Sequence, residues 1–188
     1  MSSVSLPGKL LVATPALTDP NFSRTVVLVL DHDDEGTLGV VVNRPTSVGL
    51  DEVLPAWAGA VTDPGVLFQG GPVALDSALG LAAISGTAGG QDPLGWQRLN
   101  SGLGLIDLDT PSELLAERLV SLRIFVGYAG WGPGQLETEL EEGAWYVVEA
   151  EPQDAFSPAP DRLWRAVLRR QRDERALVST YPDDPALN

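Results

Sequence analysis

Short apolar runs, each closed by glycine, proline or an acidic cluster, recur along the chain. Residues 9–13 predict a first strand ended by Thr14-Pro15, and Asp19-Pro20-Asn21 marks a turn. Residues 25–30 are rich in Val and Leu without a polar alternation, which predicts a strand buried on both faces. The polar stretch 31–36 reads as the long turn of a β-hairpin, with Gly36 suited to a positive φ. Its second strand is 38–42, and Pro45 stops it. Leu50, Val53, Leu54 and Trp57 stand at helical spacing and predict a short helix over 50–57. Residues 66–68 predict a strand that runs into a glycine corner at Gly70-Gly71-Pro72, and 79–84 predict another strand. The small, polar stretch 86–93 reads as a mobile loop. Residues 103–108 are strand-like. Thr110-Pro111-Ser112-Glu113 then matches a capping box, with Thr110 as N-cap, Pro111 at the first helical position and Glu113 at the third, so a helix is predicted from 111 to about 120.

The stretch 125–145 organises the rest. Ile124, Phe125 and Val126 read as a buried strand. Gly127, Gly130, Gly132 and Gly134 follow, interleaved with Tyr128, Trp131 and Pro133. Glycines permit backbone angles and close approaches that a Cβ forbids, so this segment predicts a corner packed hard against the body. Residues 135–142 predict a short helix, with Pro133 near its start and Gly143 just past its end, and 144–148 return as a strand. Residues 149–160 read as loop, 162–176 as a last helix with Leu163, Val167 and Leu168 toward the core, and 181–188 as a frayed tail. Strands outnumber helices, hairpins are evident and no linker divides the chain. The expected class is α+β with a largely antiparallel sheet, as one domain spanning 1–188.

Composition narrows the chemistry. At 188 residues, folding buries about 70% of the unfolded surface, enough for a core without staples. There is no cysteine, which excludes disulfides, thiolate metal sites and cysteine nucleophiles. The first residues lack a basic segment followed by a long apolar one, so no signal peptide is expected. No apolar stretch has the length of a membrane span, and a soluble cytoplasmic protein is expected. The chain carries 26 acidic against 12 basic residues, a net charge of −14. That balance argues against nucleic acid, because binding it needs cations to displace phosphate counterions. Arg162, Arg165, Arg169, Arg170, Arg172 and Arg175 hold half of the basic charge and read as a solvated helix face that neutralises acidic surface.

Four segments carry a family likeness: Gly8 through Ala13 with Pro15-Ala16-Leu17 and Asp19-Pro20; Gly39 through Pro45; Gly70-Gly71-Pro72-Val73; and Phe125 through Glu137, closing at Gly143-Ala144-Trp145. On these residues the chain resembles the YqgE/AlgH family of uncharacterised bacterial proteins. The resemblance implies a single α+β domain whose bent, bifurcated sheet wraps into a pseudo-barrel with short flanking helices. It implies no established enzyme activity. Some members are labelled transcriptional regulators, which is a name rather than a mechanism. Many members have a cysteine in the second strand, just before the acidic turn; Leu30-Asp31-His32 stand there in this chain, so a thiol-based role is not carried over.

The candidate chemistry is sparse. The acidic turn with His32 offers hard oxygens for a divalent cation, but Val42 stands where a calcium loop needs glutamate, and a solvated turn is preferred. His32 is the lone histidine and no Gly-x-Ser-x-Gly elbow is present, which disfavours a Ser-His-Asp hydrolase. Gly130, Trp131, Gly132 and Gly134, leading into Gln135 and Glu137, form a glycine-rich helix start that could cradle an anion. The nearby glutamates oppose phosphate and no dinucleotide or P-loop fingerprint is completed, so a packed corner is preferred and no cofactor is expected. If the sheet folds round, Asn43-Arg44-Pro45, Gly70-Gly71-Pro72 and the 130–137 corner meet at one rim. Arg44 is then the anion-contacting residue of a small pocket, with Asn43 and Gln135 as hydrogen-bond partners. Against this stands Arg44 as a structural cation, pairing with Glu137 or capping carbonyls. Two functions follow: a non-enzymatic binding or regulatory protein that contacts a protein partner or small ligand through the glycine corners, or an anion- or metal-binding enzyme using Asp31, His32, Arg44 and Glu137. The first is preferred, because no nucleophile–base pair or metal-ligand spacing is found.

Overall fold

A thirteen-residue strand, β9 (Leu119–Trp131), lies between all the others. The computed structural model describes residues 5–85, 92–99 and 102–182. Before β9 come β1 (Leu10–Ala13), β2 (Val26–Asp33), β3 (Gly36–Val41), β4 (Pro45–Gly49), β5 (Val66–Gln69), β6 (Val73–Ile84), β7 (Trp96–Arg98) and β8 (Leu103–Ile106); β10 (Trp145–Val148) follows it. The strands are ordered β10-β1-β2-β3-β9-β6-β8-β7, with β4 paired to β5 and β5 to β9. Only the β5–β9 pair, among those described, is parallel. The helices are short: α1 (Leu50–Val53), α2 (Pro55–Ala58), α3 (Gln135–Glu141), α4 (Leu163–Arg169) and α5 (Arg175–Val178). The class is α+β, with a mostly antiparallel sheet curled into a half-barrel, as the family resemblance implies.

The sheet forks on β9. Along one edge β9 pairs with β6 over residues 119–128. Along the other it pairs first with β5, at Phe125 and Val126, and then with β3, from Ala129 to Trp131. Gly70 bridges the split: its N–H donates to the Val126 carbonyl at 2.8 Å, and its carbonyl accepts from Val41 N–H at 2.7 Å. The branches come this close because two glycines interlock. At Gly71, with φ +155°, a Cβ would lie 2.1 Å from the Tyr128 carbonyl oxygen. At Gly127, with φ +73°, it would lie 2.5 Å from the Gly71 carbonyl oxygen. The chain crosses from one branch to the other through Asn43 and Arg44, between β3 and β4.

Both faces of β1 to β3 are buried, as the unbroken apolar run of β2 requires. Leu10, Val12, Leu28, Val40, Phe68 and Phe125 pack with Trp164 and Val167 of α4 on one side. Leu11, Val27, Val29 and Val41 pack with Trp131, Trp145 and Leu136 of α3 on the other. A third cluster joins Leu50 and Trp57 to Leu122 and Ile124.

Several boundaries move. The hairpin has no long turn: Asp31, His32 and Asp33 pair with Leu38, Thr37 and Gly36, leaving Asp34-Glu35 as a two-residue turn. Pro45 opens β4 rather than merely stopping β3; β4 and the short β7 had no apolar run to announce them. The helix over 50–57 is broken into α1 and α2 at Leu54, which takes φ −140° and ψ 65° because Pro55 disfavours helical geometry in the residue before it. Most of the expected loop at 86–93 lies outside the described residues, as does the tail beyond Pro182.

The largest miss is the capping-box helix. Pro111, at φ −56° and ψ 127°, is not helical; a 3-10 turn at Ser112–Leu114 follows, with no side-chain cap. Leu119 and Val120 already belong to β9, so the sheet takes the residues the helix needed. Similarly, β9 runs through Gly127 and Gly130 as far as Trp131, so the corner shrinks to residues 132–134 before α3. The last helix is split into α4 and α5, and Arg175 at the start of α5 folds back on Asp173 of the intervening turn. The expected loop 149–160 contains a buried 3-10 turn, Asp154–Phe156.

Arg123 explains why that turn is buried. It sits in the apolar run of β9 at 1% exposure, over the Phe68 ring at 4.3 Å. It donates to the carbonyls of Asp63 (2.6 Å), Ala155 (3.2 Å) and Ser157 (2.9 Å). Burial pushes the guanidinium down to about 10, so it stays charged at neutral pH and is stabilised by carbonyl dipoles.

Gly71→Ala places a Cβ on backbone atoms in a left-handed conformation and is expected to destabilise by at least about 2 kcal/mol. Gly132→Ala meets nothing closer than 3.9 Å and is expected to stay within about 0.5 kcal/mol of the parent. Urea unfolding of the two variants checks the difference.

Candidate functional site

Trp131, in the glycine-rich corner, is part of a packed aromatic triangle. Its ring lies 6.1 Å from Phe22 and 6.0 Å from Trp145, and Phe22 lies 5.7 Å from Trp145. Both indole N–H groups donate to one oxygen of Glu139, at 3.2 and 3.1 Å, and Gln135 Nε2 donates to its other oxygen at 3.1 Å. Gln135 Oε1 accepts from Gly132 N–H at 3.0 Å, Gly134 starts α3 at φ 73°, and Gly130 pairs with Leu38. The side chains of Trp131, Gln135, Glu139 and Trp145 and the Gly132 amide are thus engaged with one another. Glu137 faces the hairpin: His32 Nε2 lies 3.1 Å from Glu137, and its Nδ1 lies 2.6 Å from Thr37 Oγ1. No group of three or more His, Asp or Glu side chains among the described residues is placed to hold a metal.

Asn43 and Arg44 lie at the opposite end of β3, about 20 Å along the strand direction from Thr37 at 3.3 Å per residue. The structure therefore brings His32 to Glu137, and the backbone of Arg44 to the Gly70 corner, where Gln69 N–H donates to the Arg44 carbonyl at 2.8 Å. It does not gather all three corners at one rim. Gly70 and Gly71 are occupied by the fork itself.

What does meet at Arg44 comes from segments distant in sequence. A cavity of about 330 Å³ is lined by Arg24, Asn43, Arg44, Asp161, Trp164 and Arg165, among others. Arg44 caps the carbonyls of Pro20 and Ser23, both at 2.8 Å, using two of its five N–H groups. Burial pushes its guanidinium below the ordinary value, with the Asp19 charge acting in the opposite direction. Asn43 is a positioning residue: its Oδ1 accepts from Val26 N–H at 2.9 Å and its Nδ2 donates to the Arg24 carbonyl at 3.0 Å. Arg24 has φ 57°, a left-handed conformation that is uncommon for a residue with a side chain. That twist carries its guanidinium over the Trp164 ring at 4.4 Å, while Arg165 approaches the same ring at 5.8 Å. Sequence reading found Asn43 and Arg44. It missed Arg24, beside an ordinary turn, and treated Arg165 as solvated helix surface; a lone arginine two residues after an aromatic gave no signal.

A family model described as AlgH-like matches residues 10–176. The chain belongs to the AlgH-like family. It is similar to a UPF0301 protein of Streptomyces avermitilis, at 67% identity over 98% of this chain and 96% of that one. It is also similar to one of Rhodococcus jostii, at 42% identity over 97% and 90%. Among solved structures, a protein from Corynebacterium diphtheriae superposes with TM-score 0.87 at 33% identity, covering 96% of this chain and 95% of that one. The solution structure of the AlgH protein from Pseudomonas aeruginosa gives TM-score 0.70 at 28% identity, covering 98% of each chain. The AlgH-like chain thus shares its forked half-barrel with distant relatives. No helix among the described residues is long and apolar enough to cross a membrane.

If the corner is scaffolding, Glu139→Ala, which strips two indole N–H groups of their acceptor, is expected to destabilise by about 1–3 kcal/mol. Glu137→Ala, at an exposed pair, is expected to lose under about 1 kcal/mol. Parallel denaturant titrations check this.

Proposed function

We propose that the protein acts as a non-enzymatic binding protein in the cytoplasm, and that its working site is the arginine pocket at the crossing from β3 to β4. The observation that carries this is the convergence of three guanidiniums, of Arg24, Arg44 and Arg165, on one cavity in a chain of net charge −14. Guanidiniums present planar forks of N–H donors suited to carboxylate and phosphate oxygens. Arg24 supports the reading further, since a left-handed backbone costs on the order of 1 kcal/mol and recurs at ligand clamps. Asp161 at the rim narrows the choice toward a ligand that also offers an N–H or O–H donor.

A regulatory role, where the family carries that label, then runs through a bound ligand or partner protein. The overall charge opposes direct contact with nucleic acid, and three of the twelve basic residues face this cavity rather than an extended basic surface. An enzyme built on Asp31, His32, Arg44 and Glu137 has no single place to work, because Arg44 stands at the far end of β3 from the other three.

Thermal shift and calorimetry with inorganic phosphate, pyrophosphate and short acidic peptides test the site. At tenfold excess over Kd, a ligand stabilises the parent by about 1.4 kcal/mol, a shift of about 2–5 °C. Arg44→Ala, measured against its own unliganded midpoint, is expected to lose most of that shift, and the ligand is recovered unchanged. Equal shifts in parent and variant, or turnover of the ligand, would overturn the proposal.

A further inference from the structure

The strand β6 outruns the neighbour that covers its outer edge. β8 pairs with it only from Gly80, opposite Ile106, to Ala83, opposite Leu103. Beyond Ile106 the chain turns away at Asp107, whose carbonyl accepts from Thr110 N–H at 3.0 Å and whose Oδ1 accepts from Asp109 N–H at 3.0 Å. Residues 73–79 of β6 therefore have no strand on that side among the described residues. Toward β9 they pair at Val73 and again at Ala78, so residues 74–77 bulge between two rungs, and Ala74 takes φ 52°. The overhang is at most about 23 Å long, at 3.3 Å per residue. Unpaired edges are templates for another chain, and native sheets guard them with lysine, proline, bulges or a covering element. Here a bulge and the single carboxylate of Asp76 are the guards, and Val73 and Leu75 stay exposed. At the inner end of the overhang lies a cavity of about 400 Å³, lined by Leu79, Trp96, Leu105, Ile106 and Asp107, among others.

Charge selects what can lie there. Residues 45–117 contain nine acidic residues and one basic one, Arg98, which is paired with Asp92 at 2.7 Å. A second copy of the chain brings the same acidic surface and is repelled, whereas a basic segment is attracted. We propose that the overhang of β6 is a docking edge for an extended, basic segment of a partner protein, which adds a strand in line with β8 and seats one apolar side chain in the cavity beside Leu79. Main-chain ladder bonds to β6 hold any extended segment, and the alternating side chains make the choice. Apolar ones meet Leu75 and the cavity; cationic ones meet Asp76 and Asp107. The surface shares no residue with the arginine pocket, so the two can be occupied independently.

The test uses the full chain and, as probe, a fluorescently labelled peptide in which lysine alternates with valine around a central phenylalanine. Binding is read by anisotropy, and the site by hydrogen exchange of the backbone amides. Two peptide controls are a composition-matched one with its lysines and apolar residues in separate blocks, and one with glutamate in place of lysine. The expected result is that the alternating peptide binds the parent at least tenfold more tightly than either control and protects the amides of residues 75–79, leaving those of Arg24 and Arg44 unchanged. Asp76→Lys and Leu75→Ser, both at exposed positions, are expected to weaken it at least tenfold and about threefold respectively, with circular dichroism unchanged. No binding at millimolar peptide, equal affinity for the block peptide, indifference to Asp76→Lys, or protection confined to other strands would each overturn the proposal. A concentration-dependent dimer of the parent that protects the same amides would overturn the partner assignment in favour of a second copy.

Discussion

The near-contact of two glycine backbones, Gly71 and Gly127, is the constraint from which the rest of the architecture follows. One long strand cannot carry two neighbours on the same edge unless one of them peels away. Here β5 leaves β9 at Gly70 and β3 takes its place beyond. The approach is too close for any side chain at either glycine. The same fork forces the chain to step from one branch to the other between β3 and β4, and that step presents Asn43 and Arg44 at the edge of the half-barrel. Scaffold and candidate site are thus two consequences of one steric fact.

Two arginines divide the labour of cation placement. Arg123 is enclosed, has no hydrogen bond at Nε and satisfies three carbonyls with its other nitrogens, pinning the turn at 154–157 and the chain near Asp63 onto β9. Among the described residues its hydrogen-bond partners are all carbonyls, which makes it a hub for main-chain dipoles, since an unsatisfied buried carbonyl is itself costly. Arg44 also caps carbonyls, but from a half-buried position on a cavity that Arg24 and Arg165 share. The first arrangement is closed and structural. The second keeps donor capacity beyond what its fold contacts use.

Much of the sheet was legible because its strands are apolar runs with clear stops: β1, β2, β5, β8 and β10 lie close to where periodicity put them. The helix α3 was legible from its flanks, with Pro133 shortly before it and Gly143 just past its end. The failures share a cause. The capping box at Thr110 was a sound local signal, and it lost to the pairing of Leu119 with Ile84 of β6 and to the burial of Leu115. The acidic hairpin looked like a long turn because its strand residues are polar, yet ladder hydrogen bonds do not require apolar side chains. The pocket was half legible. Asn43 and Arg44 stood out beside a proline, whereas Arg24 and Arg165 acquire meaning only when β2 and α4 are brought together over Trp164.

The central claim is that the crossing at Arg44 is a ligand site and the 130–137 corner is not. Side-chain and backbone NMR spectra of the nitrogen-15-labelled chain during a pyrophosphate titration test it most directly. The account predicts that the Arg44 Nε–H signal and the amides of Arg24, Arg44 and Arg165 move together and saturate, while Gly132, Gly134 and Glu137 stay fixed. Saturating shifts centred on the 132–137 amides, with Arg44 unmoved, would contradict it.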